Sequence, residues 1–132
     1  MANVLGIGGV FFKTPDGDAI RKWYADVLGL SFHDWGGVWF PSGPFAAHAG
    51  SGTVFSPMKQ DTDYFDPSRH EFMINLVVDD IDGVLERCRK HGVEPVKLFP
   101  DDFNGRFAHI IDPEGRKLEL WQPRPLDAPP QT

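Results

Sequence analysis

Apolar residues alternate with mixed ones along residues 105–111 and again along 117–121, and Asp112-Pro113-Glu114-Gly115 stands between the two runs. A period of two predicts two strands. The tetrapeptide is turn chemistry, because Pro113 presets φ at the first corner and Gly115 takes φ > 0 without a Cβ clash. That order suits a three-residue hairpin loop with a bulge at Gly115. The register follows: Asp112 faces Arg116, His109 faces Glu119 and Phe107 faces Trp121, and opposed residues share a face. One face then carries Ala108, Ile110, Leu118 and Leu120 and calls for a hydrophobic core. The other carries Phe107, His109, Ile111, Lys117, Glu119 and Trp121. It is too polar for a core and too aromatic for open water, which predicts a ligand cavity.

The rest of the chain reads in the same way. Residues 8–13 form a strand with Val10 and Phe12 on one side and Gly9, Phe11 and Lys13 on the other. Gly6, Gly8 and Gly9 do not make a dinucleotide fingerprint: Phe11 stands where the third glycine belongs, and the turn precedes the strand. Asp16 caps a helix whose stripe is Ile20, Trp23, Tyr24, Val27 and Leu28, and Gly29 ends it. Residues 30–33, 38–40 and 52–56 read as three short strands. Residues 57–70 have no periodicity and form a loop, with Tyr64 and Phe65 tucked under a neighbour. Residues 72–78 are a strand with Phe72, Ile74, Leu76 and Val78 on an apolar face and Met73, Asn75 and Val77 on a mixed one. Asp80 caps a second helix with the stripe Ile81, Val84, Leu85 and Cys88, ended by Gly92. A strand at 93–98 and a loop lead into the hairpin.

The order strand, helix, three strands thus occurs twice, an internal repeat of architecture. The division expected is a single domain over 1–122: module one at about 4–56, a linker at 57–71 and module two at about 72–122. A disordered tail is expected over 123–132, where prolines recur.

Composition narrows the partners. A chain of 132 residues is long enough for one domain with a real core. The net charge of -6 leaves no basic patch to neutralise phosphates, which argues against nucleic acid. Cys88 is the sole cysteine, so no internal disulfide exists and a cytoplasmic setting is expected. The first residues lack the layout of a signal peptide, and no apolar run is long enough for a bilayer.

The strongest candidate for chemistry is Glu119 with His109. A carboxylate and an imidazole on one partly apolar face can move a proton from a carbon acid or onto a leaving oxygen. Alternatively, Glu119 is structural and paired with Lys117, Lys13 or Arg106. The pairing depends on the register, since a loop longer by one residue would set Ala108 opposite Glu119. Asn75 can orient a ligand carbonyl or hydroxyl, or bond a neighbouring loop. Lys13 can hold an anionic group, or be solvated. Phe11, Phe55, Met73, Phe107 and Trp121 line the cavity, or simply pack. His48 is a mouth residue or a solvent-facing loop histidine. His33, His70 and His91 show no ligand spacing. Cys88 reads as a buried, inert thiol.

Trp23-Tyr24, the run Val27-Leu28-Gly29-Leu30-Ser31-Phe32, Val78-Asp79-Asp80 and the whole stretch 112–121 together resemble the vicinal oxygen chelate superfamily. That superfamily includes glyoxalase I, extradiol dioxygenases and the fosfomycin- and bleomycin-resistance proteins. The resemblance implies an α+β fold in which two βαβββ modules curl mixed sheets around a cavity. It also implies metal-ligand positions at Gly9, within 53–56, at Met73 and at Glu119. Only Glu119 is a ligand-type residue, so no metal cofactor is expected; a divalent ion held through Glu119 is the runner-up. The function expected is a metal-independent isomerase or lyase acting through Glu119 and His109. The alternative is a protein that binds a drug or metabolite without chemistry, and a third reading is a dimer with a structural or regulatory use. The partners expected are a small molecule and a second copy of the chain.

Overall fold

The terminal hairpin forms in the register its turn demands. The computed structural model describes residues 9–125. Within them lie α1 (Gly17–Leu28), α2 (Ser42–Ala47), β1 (Ile74–Val77), α3 (Ile81–Lys90), β2 (Lys97–Leu98), β3 (Gly105–Ile111) and β4 (Lys117–Pro123). The sheet order is β1-β4-β3-β2, with β1 parallel to β4 and the other pairs antiparallel. The architecture is α+β, with a mixed sheet that does not close into a barrel. No helix among the described residues is long and apolar enough to cross a membrane.

In the hairpin His109 pairs with Glu119 and Phe107 with Trp121. The Asp112 amide donates to the Arg116 carbonyl at 2.9 Å, and Gly115 takes φ +86°. Ala108, Ile110, Leu118 and Leu120 are fully buried. Above them α1 lays Ile20, Tyr24 and Val27, and α3 lays Ile81, Leu85 and Cys88. Both helices start where the sequence caps them. Asp16 Oδ1 accepts from the Ala19 amide and Asp80 Oδ1 from the Gly83 amide, each at 3.1 Å. Such caps contribute about 1 kcal/mol each.

The hairpin turn also ties down the start of the chain. Asp112 Oδ1 accepts from the amides of Glu114 (2.8 Å) and Arg116 (2.9 Å). Its Oδ2 accepts from the Tyr24 hydroxyl of α1 (2.8 Å) and from Arg116 Nη1 (3.1 Å). Burial first, and then the Asp112 carboxylate, push the Tyr24 phenol well above its ordinary pKa, so it stays a donor. Arg116 also bonds Glu114 at 2.8 Å and the Lys13 carbonyl, and lies 4.1 Å from the centre of the Phe12 ring. Thr14 donates to Glu114 at 2.6 Å. Asp112 thus joins the turn to the first helix, and Arg116 and Glu114 tie in the segment that leads to it.

The first half departs from the expected pattern. None of residues 9–13, 30–33, 38–40 and 52–56 pairs as a strand, and the short α2 occupies part of the stretch between them. A strand exists only by hydrogen bonding to a neighbour, and alternation alone supplies none. Among the described residues the sheet expected of module one is therefore not assembled, and its side of the cavity stays open. Of residues 93–98 only Lys97 and Leu98 pair, with His109 and Ala108. Pro123, expected to begin the tail, pairs instead with Gly105. The rest of the tail reading, from 126, and residues 1–8 lie outside the described residues.

Asp112→Ala should cost about 3–5 kcal/mol, since it removes one of the two carboxylates that hold the buried Arg116 guanidinium and strands the Tyr24 hydroxyl and two turn amides. Urea denaturation checks this. Tyr24→Phe, which removes one hydrogen bond, should cost about 1–2 kcal/mol on the same assay.

Candidate functional site

Glu119 lies at the centre of the sheet face away from the helices. β4 is flanked by β1 and β3, so Glu119 has Asn75 beside it on one strand and His109 on the other. Asn75 Nδ2 donates to Glu119 Oε1 at 2.9 Å, and His109 Nε2 stands 2.7 Å from Oε2. The third donor is Tyr64, whose hydroxyl bonds Oε2. His109 is 0% exposed and Glu119 8%.

Tyr64 arrives on the aperiodic loop at 57–70, which crosses this face as a strap. Lys117 holds it down: its ammonium donates to the carbonyls of Tyr64 (2.7 Å) and Asp66 (2.8 Å). His70 Nε2 adds a contact to the Glu114 carbonyl at 3.0 Å. The Tyr64 ring meets His109 edge-on at 5.2 Å, and Phe99 meets the same imidazole at 4.7 Å. Farther along the face Phe107 and Trp121 stack in parallel with centroids 5.8 Å apart. Trp121 Nε1 donates to the Asn104 carbonyl at 2.9 Å.

The electrostatics follow from these contacts. Burial pushes the Glu119 carboxyl up, but the hydrogen bonds from His109, Tyr64 and Asn75 outweigh it and hold the group below its ordinary pKa. Glu119 is therefore an anion at neutral pH. Burial first, then Glu119, drive the Tyr64 phenol up, so Tyr64 remains a donor. Burial lowers the Lys117 pKa, with help from the nearby charge of Lys97. Glu119 sets the His109 proton on Nε2, and His109 Nδ1 is buried without a hydrogen-bond partner.

Of the residues singled out in the sequence, the fold brings Glu119, His109 and Asn75 into direct contact. Phe107 and Trp121 share their face, half-buried. Met73 is half-buried just before β1. Phe11, Lys13 and Phe55 do not line a cavity: all three are exposed, Phe11 at 94% and Phe55 at 82%, because the strands meant to carry them do not pair. Glu119 takes none of its expected structural partners. Arg106 pairs with Asp82 through two 2.8 Å bonds, and Lys117 is spent on the strap. His48 Nε2 contacts the Pro123 carbonyl at 3.1 Å. Cys88 is 0% exposed, and burial raises its pKa, as befits an inert thiol. Sequence reasoning missed Tyr64 and Lys117 as parts of the site. The one signal was an aromatic pair in a polar loop, which demanded cover without naming it.

The donor set does not fit a divalent metal. Both Glu119 oxygens already accept from protein donors, Gly9 has no side chain, and the Met73 thioether suits soft ions only. No group of three His, Cys, Asp or Glu side chains that could hold an ion gathers among the described residues.

The family model for the Glyoxalase/Bleomycin resistance protein/Dioxygenase superfamily matches residues 6–120. The chain belongs to this superfamily. Its sheet order and hairpin are thus those of a glyoxalase-like protein. A protein of unknown function from Agrobacterium tumefaciens str. C58 is 21% identical, with 92% of this chain and 100% of that one covered and a TM-score of 0.52. TnmS3, an antibiotic binding protein from Streptomyces sp. CB03234, is 20% identical over 83% of this chain and 88% of that one, with a TM-score of 0.49. A glyoxalase family protein from Enterococcus faecalis is 28% identical over 46% of this chain, at a TM-score of 0.36. That match spans about half the other protein, 54% of its length. No curated protein sequence matches the chain.

The lowered pKa of Glu119 carries a pH signature. A carboxyl whose folded pKa lies below its unfolded value adds stability above the unfolded value and loses it as pH falls through the folded one. The stability difference between the native protein and Glu119→Gln should therefore be greatest near neutrality and shrink below about pH 4. Chemical denaturation at a series of pH values measures it.

Proposed function

We propose that this superfamily member binds a small molecule without chemistry, on the mixed face beside the Phe107–Trp121 stack. One observation carries the reading: both oxygens of the Glu119 carboxylate are engaged, Oε1 by Asn75 and Oε2 by His109 and Tyr64, and the group is held below its ordinary pKa. A general base needs a free lone pair aimed at the substrate proton and a pKa near the working pH. Glu119 has three of its roughly four lone pairs taken, and its pKa is held down, away from neutrality. It serves instead to fix the polar floor of the face.

The binding elements are two parallel aromatic planes, half-buried, with the Asn75 carbonyl oxygen free to accept from a ligand. Aromatic planes take up flat, largely apolar molecules, and one or two polar groups orient them. The ligand class is thus a planar drug or metabolite with a hydrogen-bond donor at its edge. A cytoplasmic setting belongs to this reading, supported by the single buried cysteine. The isomerase or lyase reading draws on the 2.7 Å His109–Glu119 contact. It would need the hydrogen bonds that hold the Glu119 pKa down to loosen before the carboxylate could take a substrate proton near neutral pH.

A fluorescence titration with the planar dye anilinonaphthalene sulfonate tests the site. Phe107→Ala and Trp121→Ala should each weaken binding by about tenfold or more, as central aromatic anchors do. Glu119→Gln should change it less than about threefold, or under 1 kcal/mol. Equal losses from all three variants, or a carbon-acid turnover that Glu119→Gln abolishes, would reverse the conclusion.

A further inference from the structure

The aromatic planes of the mixed face do not stop at Phe107. The Phe99 amide donates to the Phe107 carbonyl at 3.2 Å, which carries the β2–β3 ladder one step past Leu98. Phe99 therefore shares a face with Lys97, two residues before it. Lys97 pairs with His109, so both stand on the mixed face. The Phe99 ring meets Phe107 at 6.3 Å between centroids, as Phe107 meets Trp121 at 5.8 Å. At the far end the Lys97 ammonium lies over the Phe99 ring, 4.7 Å from its centre. An aromatic row thus crosses β4 and β3 and ends at a cation on the edge strand β2.

The sheet gives this face two lysines, and only one of them is free. Lys117 is buried, and its ammonium donates to two carbonyls of the strap. Lys97 is exposed, and among the described residues its ammonium forms no ion pair. A lysine held only by a ring face keeps its N–H donors for an incoming anion. Burial first, and then the charge of Lys97, lower the Lys117 pKa, as two ammoniums near one another must. We propose that the ligand of this face is a planar aromatic anion whose carboxylate or sulfonate is held by Lys97. Lys97 thereby adds a charge and a direction to the ligand reading above, on which this proposal rests. Glu119 sets the direction. Its carboxylate stands one same-face step from Trp121, about 7 Å along β4. A negative group is repelled from that end and drawn to Lys97 on β2, two strand spacings or about 10 Å away. The rings of the ligand then lie along Trp121 and Phe107, with the anionic group at Phe99. The net charge of -6 repels an anion at long range, so a preference for one requires such a local cation.

Paired fluorescence titrations with anilinonaphthalene sulfonate and its uncharged parent, N-phenyl-1-naphthylamine, test it. Lys97→Gln should weaken the sulfonate dye about two- to fivefold, the range of one exposed ion pair, and the neutral dye less than about 1.5-fold. Lys97→Arg keeps the charge and should bind both dyes as the wild type does. Added salt should narrow the gap between wild type and Lys97→Gln for the sulfonate dye, because the pair is exposed. Equal effects on the two dyes, or an unchanged sulfonate affinity in Lys97→Gln, overturn the proposal. Phe107→Ala separates it from the ligand reading. If Phe107→Ala weakens both dyes while Lys97→Gln spares the sulfonate, the stack stands and only the anion assignment falls. If Phe107→Ala weakens neither dye, the stack is not the site and both readings fall. Should Lys97→Gln fail to fold, the wild-type protein decides. Its sulfonate affinity should fall with rising salt while its neutral-dye affinity does not, and an equal response of the two dyes overturns the proposal.

Discussion

The register of the β3–β4 hairpin is the constraint on which the rest of the structure depends. A slip of one residue would send Leu118 and Leu120 to the polar face and Glu119 into the core. The turn prevents that slip twice over. Gly115 takes the positive φ the loop needs, and the Asp112 carboxylate gathers the amides of Glu114 and Arg116. The same carboxylate reaches Tyr24 and Arg116, so fixing the register and docking α1 are one event. Burying an aspartate and an arginine in this way is costly unless their polar atoms find partners. Here Asp112 has four donors, which is why a charged pair can sit beneath a helix without unmaking the core.

The second carboxylate works by the same physics with a different outcome. Glu119 is buried on the face the helices do not cover, and the strap at 57–70 lays Tyr64 across it. Its three donors come from three parts of the chain: β1, β3 and the strap. The anion thereby organises the face. The same face carries the Phe107–Trp121 stack. Within a superfamily whose fold hosts several chemistries, the function rests on that local arrangement and not on the fold.

The two halves of the molecule stand in contrast. The second half closes a four-stranded sheet under two helices and hides its apolar face. The first half contributes α1 to that core and then leaves Trp35, Trp39, Phe40 and Phe55 in the open. Its alternating segments have the composition of strands but no neighbours to bond.

The sequence by itself determined the elements whose physics is local. The caps at Asp16 and Asp80, the stripes of α1 and α3, the glycine at the end of α1, and the hairpin with its register are set by residues within a few positions of one another. Because the register was legible, so was the meeting of His109 with Glu119. Tertiary structure decided everything that needed a distant partner. It made Asn75 a neighbour of Glu119 by laying β1 parallel to β4, and it brought Tyr64 across 55 residues to the same carboxylate. It left Phe11 and Phe55 outside the site because strand pairing, unlike a helical turn, cannot be completed by the segment that wants it.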